Sequence, residues 1–379
     1  MGTHKLTSLA IISNFAPSLV NFRGPFIRTL VASGVRVFAL APDFDDEHRE
    51  TVAALGATPV SYRLSRTGMN PLRDVIDTLR LSRLLRRLNP DATLSYFIKP
   101  VIYGTLASWL AGVPHRFAMI EGLGFVFIDS EIGITFRHRV LRIIVSWLYR
   151  KALKRAERVI FLNPDDSAEF VQNGLVCQKK THCLGGIGVD LAEWTPAPPV
   201  SQPVTFLMIA RLLREKGIFE YVEAARAVKC QYPQARFILL GGLDPNPGAL
   251  SREKAQSWVD ERVVEWPGHV AVRPWLEQAS VYVLPSYREG VPRSTQEALA
   301  MARPVITTDV PGCRETVIEG DNGFLVPVRD TKALAAKMVT FIENPTLIAR
   351  MGKRSRELAE KRFDVHKINA ELVRIITIT

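Results

Sequence analysis

The chain has 379 residues, 47% of them hydrophobic and 23% charged, which suffices for two or three domains with substantial cores and excludes a disordered or fibrous polypeptide. Its 49 Lys and Arg against 38 Asp and Glu leave a net charge of +11, a surplus that favours anionic partners without specifying a fold. The surplus is weighted to the first half, with 24 basic and 17 acidic residues through Thr195 and 25 and 21 beyond it.

In chain order, short β-branched runs alternate with amphipathic helical stretches, the pattern of parallel α/β units. The first run, SLAIIS (8–13), reads as a β-strand rather than a signal peptide, since no cleavage site follows it. Further strands are predicted at 35–41, 58–64, 92–97, 115–120 and 158–163, with a helix over Pro71–Leu88. The stretch EWTPAPPVSQP (193–203) is rich in proline and breaks the pattern, as a linker does. Strands then resume at 204–210, 235–242, 263–268, 281–286, 303–309 and 323–328, with a helix over 217–232. The fold class expected is α/β, two Rossmann-like domains facing each other across a cleft. The expected domains are 1–195, 196–360 and a C-terminal helical segment, 361–379, crossing back to the first. No apolar run approaches the ~18 residues that span a bilayer. Cys177, Cys183, Cys230 and Cys313 lack C-x-x-C or zinc spacing, which points to reduced thiols in a cytosolic protein.

Two motifs lose their chemistry on context. GGIGVD (185–190) resembles a dinucleotide fingerprint, but no helix follows it. Asp43-Phe44-Asp45-Asp46 mimics an Asp-x-Asp metal site, yet it opens a helix where capping acids belong. No metal site is therefore expected.

Chemistry concentrates in two segments of the second half. In YREGVPRSTQEALA (287–300), Glu289 precedes a helix and Glu297 lies within it, with Gly290, Val291 and Pro292 between them. Carboxylates accept from vicinal sugar hydroxyls, and the amides before the helix suit an anion. Taken singly, each acid also reads as a turn acid or a solvated helix residue. In MIARLLREKGIFEYVEAA (208–225), Arg211 and Lys216 flank a strand-to-helix loop and suit a diphosphate. The loop of Lys216 is placed at a cleft rim, where replacing this residue should weaken binding far more than stability. Arg214 and Glu215 read as the solvated rim of the same loop.

The Arg211…Lys216 pair with E-x7-E resembles the retaining family 4 glycosyltransferases of GT-B fold, over essentially the whole chain. LVNFRGPFIRTLVASG (19–34), SYFIKPVIYGTLAS (95–108) and EGLGFVF (121–127) further resemble a subgroup that extends polyprenyl-diphosphate-linked oligosaccharides for bacterial surface polysaccharides or protein glycosylation. The resemblance implies that Glu289, with Gly290, Val291 and Pro292, contacts the donor sugar, and that Glu297 holds the ribose. It also implies that Arg211 and Lys216 hold the diphosphate, and that the base lies near GHV (268–270), ending at Val270. The first loop departs from the family's Gly-Gly pair: it reads Leu19 to Gly24, and Asn21 and Arg23 serve either a ligand or the loop itself. Glu121 lies where the family places a polar residue facing the reacting sugar, or else caps a turn. Lys99 is either an acceptor-phosphate contact or a loop cation.

The implied function is metal-independent, retaining transfer of a hexose or N-acetylhexosamine from a UDP-sugar to a lipid-linked saccharide acceptor, with no cofactor. The alternatives are a UDP-sugar epimerase or hydrolase of the same architecture, and a silent sugar-nucleotide-binding scaffold. The stretch 134–158 interleaves basic and aromatic residues and, with the ridge at 80–90, fits an anionic membrane surface or is a solvated face. Nucleic acid is not expected, because no groove-reading or base-stacking motif is present. The protein is placed in the cytoplasm, peripherally on the inner face of the cytoplasmic membrane.

Overall fold

The computed structural model describes residues 6–65, 70–123, 127, 136–244 and 248–377, without the side chains at 137 and 138. The chain divides into two compact units, Met1–Leu184 with His366–Thr379, and Gly185–Val365.

In the first unit β1 (Ser8–Ile12) leads through α1 (Ala16–Asn21) and α2 (Gly24–Ala32) to β2 (Arg36–Ala41), and α3 (Asp46–Ala54) leads to β3 (Thr58–Ser61). Then come α4 (Pro71–Leu88), β4 (Ala92–Tyr96), a π-helical turn (Pro100–Gly104) running into α5 (Thr105–Ala111), and β5 (His115–Ile120). The unit continues with α6 (Phe136–Arg155), β6 (Arg158–Phe161), α7 (Pro164–Gln172) and β7 (Thr181–Cys183). The seven strands pair in parallel in the order β3-β2-β1-β4-β5-β6-β7. Helices on both faces bury the inner strands completely, which is why β1 reads as a nearly unbroken apolar run and why even Thr93 and Ser95 of β4 are buried. The acids at 43–46 do the work of a helix start: Asp45 caps α3 by accepting from the His48 amide at 2.8 Å, and Asp43 accepts from the Ala16 amide at 2.7 Å.

Helix α6 sends Val145, Tyr149 and Leu153 into a core shared with Phe161 and Phe170, the Tyr149 and Phe170 rings meeting edge-on at 5.1 Å. Its opposite face keeps Phe136, Ile143 and Trp147 in solvent. Arg158, where the basic stretch 134–158 and the predicted strand 158–163 overlap, begins β6, and its Nη1 lies 2.8 Å from Nε2 of His182. The three-residue edge strand β7 has no periodic signal in the sequence. Among the described residues, no helix is long and apolar enough to cross a membrane.

The second unit repeats the plan. It runs β8 (Thr205–Ile209), α8 (Ile218–Gln231), β9 (Arg236–Leu240), α9 (Arg252–Asp260), β10 (Glu265–Gly268), α10 (Arg273–Gln278) and β11 (Val281–Leu284). Then follow α11 (Arg293–Ala300), β12 (Val305–Thr308), β13 (Gly323–Val326), α12 (Thr331–Glu343) and α13 (Thr346–Arg362). Its parallel sheet has the order β10-β9-β8-β11-β12-β13. The last helix, α14 (Val365–Thr377), belongs almost wholly to the first unit. The proline-rich stretch, predicted as the linker, lies inside the second unit, and the division falls earlier, after Leu184. The reason is local: buried Arg303 donates to the Pro198 carbonyl at 3.0 Å and Ser280 Oγ to that of Val200, so this stretch is strapped down.

Candidate active site

In the second unit the strand order reverses between β8 and β11, so their loops leave the same edge of the sheet side by side, the usual ligand position in an open α/β sheet. The β8 loop carries Arg211 and, on a 3-10 turn (Arg214–Lys216), Lys216. The β11 loop carries Glu289 and enters α11. Two glycines allow these loops to touch. Gly217 has φ +77°, and a Cβ there would stand 2.0 Å from the Pro285 carbonyl oxygen; one on Gly312, at φ +78°, would stand 2.2 Å from that of Glu289. Only glycine fits either place. The Glu215 carbonyl accepts from the Tyr287 amide at 2.9 Å and from Ser286 Oγ at 3.1 Å, so the supposed rim residue anchors the loop through its backbone.

Within this frame Lys216 Nζ donates to Glu289 Oε1 at 2.6 Å, with both side chains mostly buried. An ammonium has three donors, so Lys216 can hold Glu289 and still offer hydrogens to a phosphate oxygen. Arg211 does not join this pair. Its exposed guanidinium reaches Asp244 Oδ2 at 2.8 Å. Glu297 accepts from Arg293 Nε at 2.8 Å on α11, and burial pushes its carboxyl above the usual range although Arg293 opposes the shift. Gly290 and Val291 are buried, the Val291 carbonyl accepts from Gln296 Nε2 at 3.1 Å, and Pro292 is the N-cap of α11. Val270 lies half-buried beyond β10, separated from the β8 loop by β9.

In the first unit the order reverses between β1 and β4, and β5 lies next to β4. The segment predicted as an open loop over Leu19–Gly24 is helical on both sides of Phe22 and Arg23, because Pro17 and Pro25 each start a helix. Asn21 is the exposed last residue of α1. Arg23 is buried at 2% exposure: it pairs with Glu121, donates to Met119 Sδ at 2.8 Å, and lies 4.9 Å from the centroid of the Tyr96 ring. Two residues predicted separately thus form one ion pair. Lys99 donates to Ser65 Oγ at 2.8 Å and to the buried Asp74 at 3.1 Å. Gly124, read as part of the loop after Glu121, lies outside the described residues.

Residues 24–183 match the glycosyl transferase 4-like domain, and residues 203–344 match the glycosyl transferases group 1. The chain is a GT-B glycosyltransferase. It is 29% identical, over 92% of its length and 93% of the relative's, to the N,N'-diacetylbacillosaminyl-diphospho-undecaprenol alpha-1,3-N-acetylgalactosaminyltransferase of Campylobacter jejuni. It is 23% identical, over 78% and 77%, to the UDP-Gal:alpha-D-GlcNAc-diphosphoundecaprenol alpha-1,3-galactosyltransferase of Escherichia coli. In fold it resembles Anabaena HepE, solved with UDP and glucose, at TM-score 0.75 and 18% identity over 99% of this chain and all of that one. Sucrose-phosphate synthase of Thermosynechococcus elongatus superposes at TM-score 0.76 with 19% identity, over 97% and 98%.

Three groups near the second unit's site of this glycosyltransferase had no signal of their own in the sequence. Asp244 takes Arg211. Tyr287 donates to Glu220 Oε1 at 2.6 Å beneath the Arg329 guanidinium, 4.6 Å from its ring centre, and so braces the chain two residues before Glu289. The buried Cys313 thiol, pushed up to about 12 first by burial and then by the Glu289 charge, stays a neutral packing group. Adjacency to Glu289 and Gly312 in the chain was the one available hint for the latter two.

Proposed function

We propose that this glycosyltransferase moves a hexose or N-acetylhexosamine from a UDP-sugar to a saccharide carried on a polyprenyl diphosphate, with retention at the anomeric carbon and without a metal ion. The Lys216–Glu289 pair at the strand-order reversal carries this reading. It sets a cation for the leaving diphosphate against a carboxylate for the sugar hydroxyls, and Arg211 adds a second cation to the same loop. Glu297 serves the ribose, Gly290 to Pro292 lie along the sugar, and Val270 borders the base. The bond from C1 to the diphosphate oxygen breaks, the acceptor oxygen bonds to C1 on the same face, and the acceptor proton passes to the departing phosphate. The protein then has only to stabilise the leaving charge, and losing one such donor costs about 3 kcal/mol of barrier.

The Campylobacter and Escherichia relatives, both named for acceptors on undecaprenyl diphosphate, support the acceptor class. Asn21, Lys99, Arg23 and Glu121 lie in the first unit, to which the acceptor is assigned. An anionic inner leaflet of the cytoplasmic membrane is the proposed surface for α6 and α4, where exposed Phe136, Ile143, Trp147, Leu72 and Val75 are interspersed with Arg139, Lys151, Arg73 and Arg80.

The test is a panel of UDP-Glc, UDP-Gal, UDP-GlcNAc and UDP-GalNAc with a polyprenyl-linked acceptor pool in excess EDTA. Release of UDP only with acceptor, giving an α-linked product, supports the proposal. Free sugar without acceptor indicates a hydrolase or epimerase, binding without turnover indicates a scaffold, and activity restored by manganese overturns metal independence.

A further inference from the structure

Phe97 has a backbone that its side chain disfavours. It follows β4 with φ +68°, in the left-handed region that suits glycine or asparagine. Among the described non-glycine residues with positive φ, it alone is aromatic; Asn89, Arg262 and Ala302 directly follow helices or their caps, where such a turn is routine. The Phe97 carbonyl accepts from the Val101 amide at 2.9 Å, and Lys99, which reaches Asp74, immediately precedes the π-helical turn. A glycine would make this turn without strain, so retaining a large ring here calls for a role for the ring.

The ring is half-buried and has a rigid support. It packs at 4.7 Å, tilted by 50°, against Tyr96, whose own ring lies under the Arg23 guanidinium and whose hydroxyl is 2.7 Å from Ser18 Oγ. Phe97 sits at the carboxyl end of the strand beside the order reversal. Tyr96 is in register with Met119, so Glu121 leaves the neighbouring strand at the same edge, and Lys99 follows two residues after Phe97. An aromatic ring at the sheet edge from which Glu121 and Lys99 also leave suits a pyranose, whose C–H face stacks on an electron-rich ring.

We propose that Phe97 is the platform on which the sugar ring of the acceptor stacks, making it a binding residue of the first unit; this rests on the acceptor class given under the proposed function. The test uses wild type, Phe97→Gly and Phe97→Tyr with methyl α-glycosides of GlcNAc, GalNAc, Glc and Gal in the presence of saturating UDP. Binding is read by saturation-transfer NMR, and thermal unfolding is followed in parallel. Wild type should bind at least one glycoside, Phe97→Gly should bind it about 5-fold more weakly, and Phe97→Tyr should retain it within about 2-fold. Phe97→Gly should also melt at the same or a higher temperature, because glycine relieves the backbone. A structural ring would give the opposite sign: a lower melting temperature in Phe97→Gly overturns the proposal, as does equal glycoside binding or none by wild type. A wild type that binds glycoside through Phe97 but transfers nothing to a lipid-linked acceptor refutes the proposed function and leaves this site standing.

Discussion

Lys216 and Glu289 neutralise each other across 2.6 Å while mostly shielded from water, so the two groups stand or fall together. Glu289→Gln keeps the shape but turns a charge-assisted contact into a neutral one; it should leave UDP affinity intact by calorimetry and lower transfer at least ~10-fold. Lys216→Met strips a shielded carboxylate of its cation and should cost about 1–3 kcal/mol in urea unfolding, most of it recovered when Glu289→Gln is added. A Lys216→Met variant as stable as wild type would show that solvent, not Lys216, satisfies the Glu289 carboxylate. Gly217 brings the loop against Pro285, which leaves Lys216 only 17% exposed.

Helix α6 shows how an element can be read correctly in part. Its basic and aromatic spacing was evident from the sequence, but which aromatic residues the core would take was not. Tyr149 went inside; Phe136, at 80% exposure, and Trp147, at 54%, stayed out. Replacing both exposed residues by serine should therefore leave thermal stability unchanged and reduce co-sedimentation with phosphatidylglycerol vesicles. Each basic residue near an anionic leaflet contributes about 1 kcal/mol, so the remaining binding should weaken as salt rises. Equal binding to neutral vesicles, or none to either kind, would reduce the helix to a solvated face.

At the scale of the whole molecule, each unit has its own parallel sheet and its own strand-order reversal, and one helix makes the chain return. Helix α14 buries Ile368, Leu372, Ile375 and Ile376. Truncation after Val365 should therefore lower the unfolding temperature of the first unit and leave UDP binding by the second measurable by calorimetry. Loss of UDP binding at a temperature where the second unit is still folded would contradict this independence.

The sequence by itself determined the α/β class, the doubled architecture, most strands to within one or two residues, and the segments proposed to hold the site. These are local properties: an apolar run buried on both faces, a proline or asparagine at a helix start, an acid that caps. It also singled out Arg211, Lys216, Glu289 and Glu297 as candidates, through their motif spacing and the resemblance it carries. Only the tertiary structure decided which charges meet. Arg23 found Glu121 from 98 positions away, Lys216 found Glu289 from 73, and Arg211 found Asp244 from 33. The division at Leu184 and the strapping of the proline stretch by Arg303 were decided the same way. The physical reason is common to all of these: a side chain's partner depends on which strand ends the topology sets side by side, and that adjacency leaves no period or local composition along the chain.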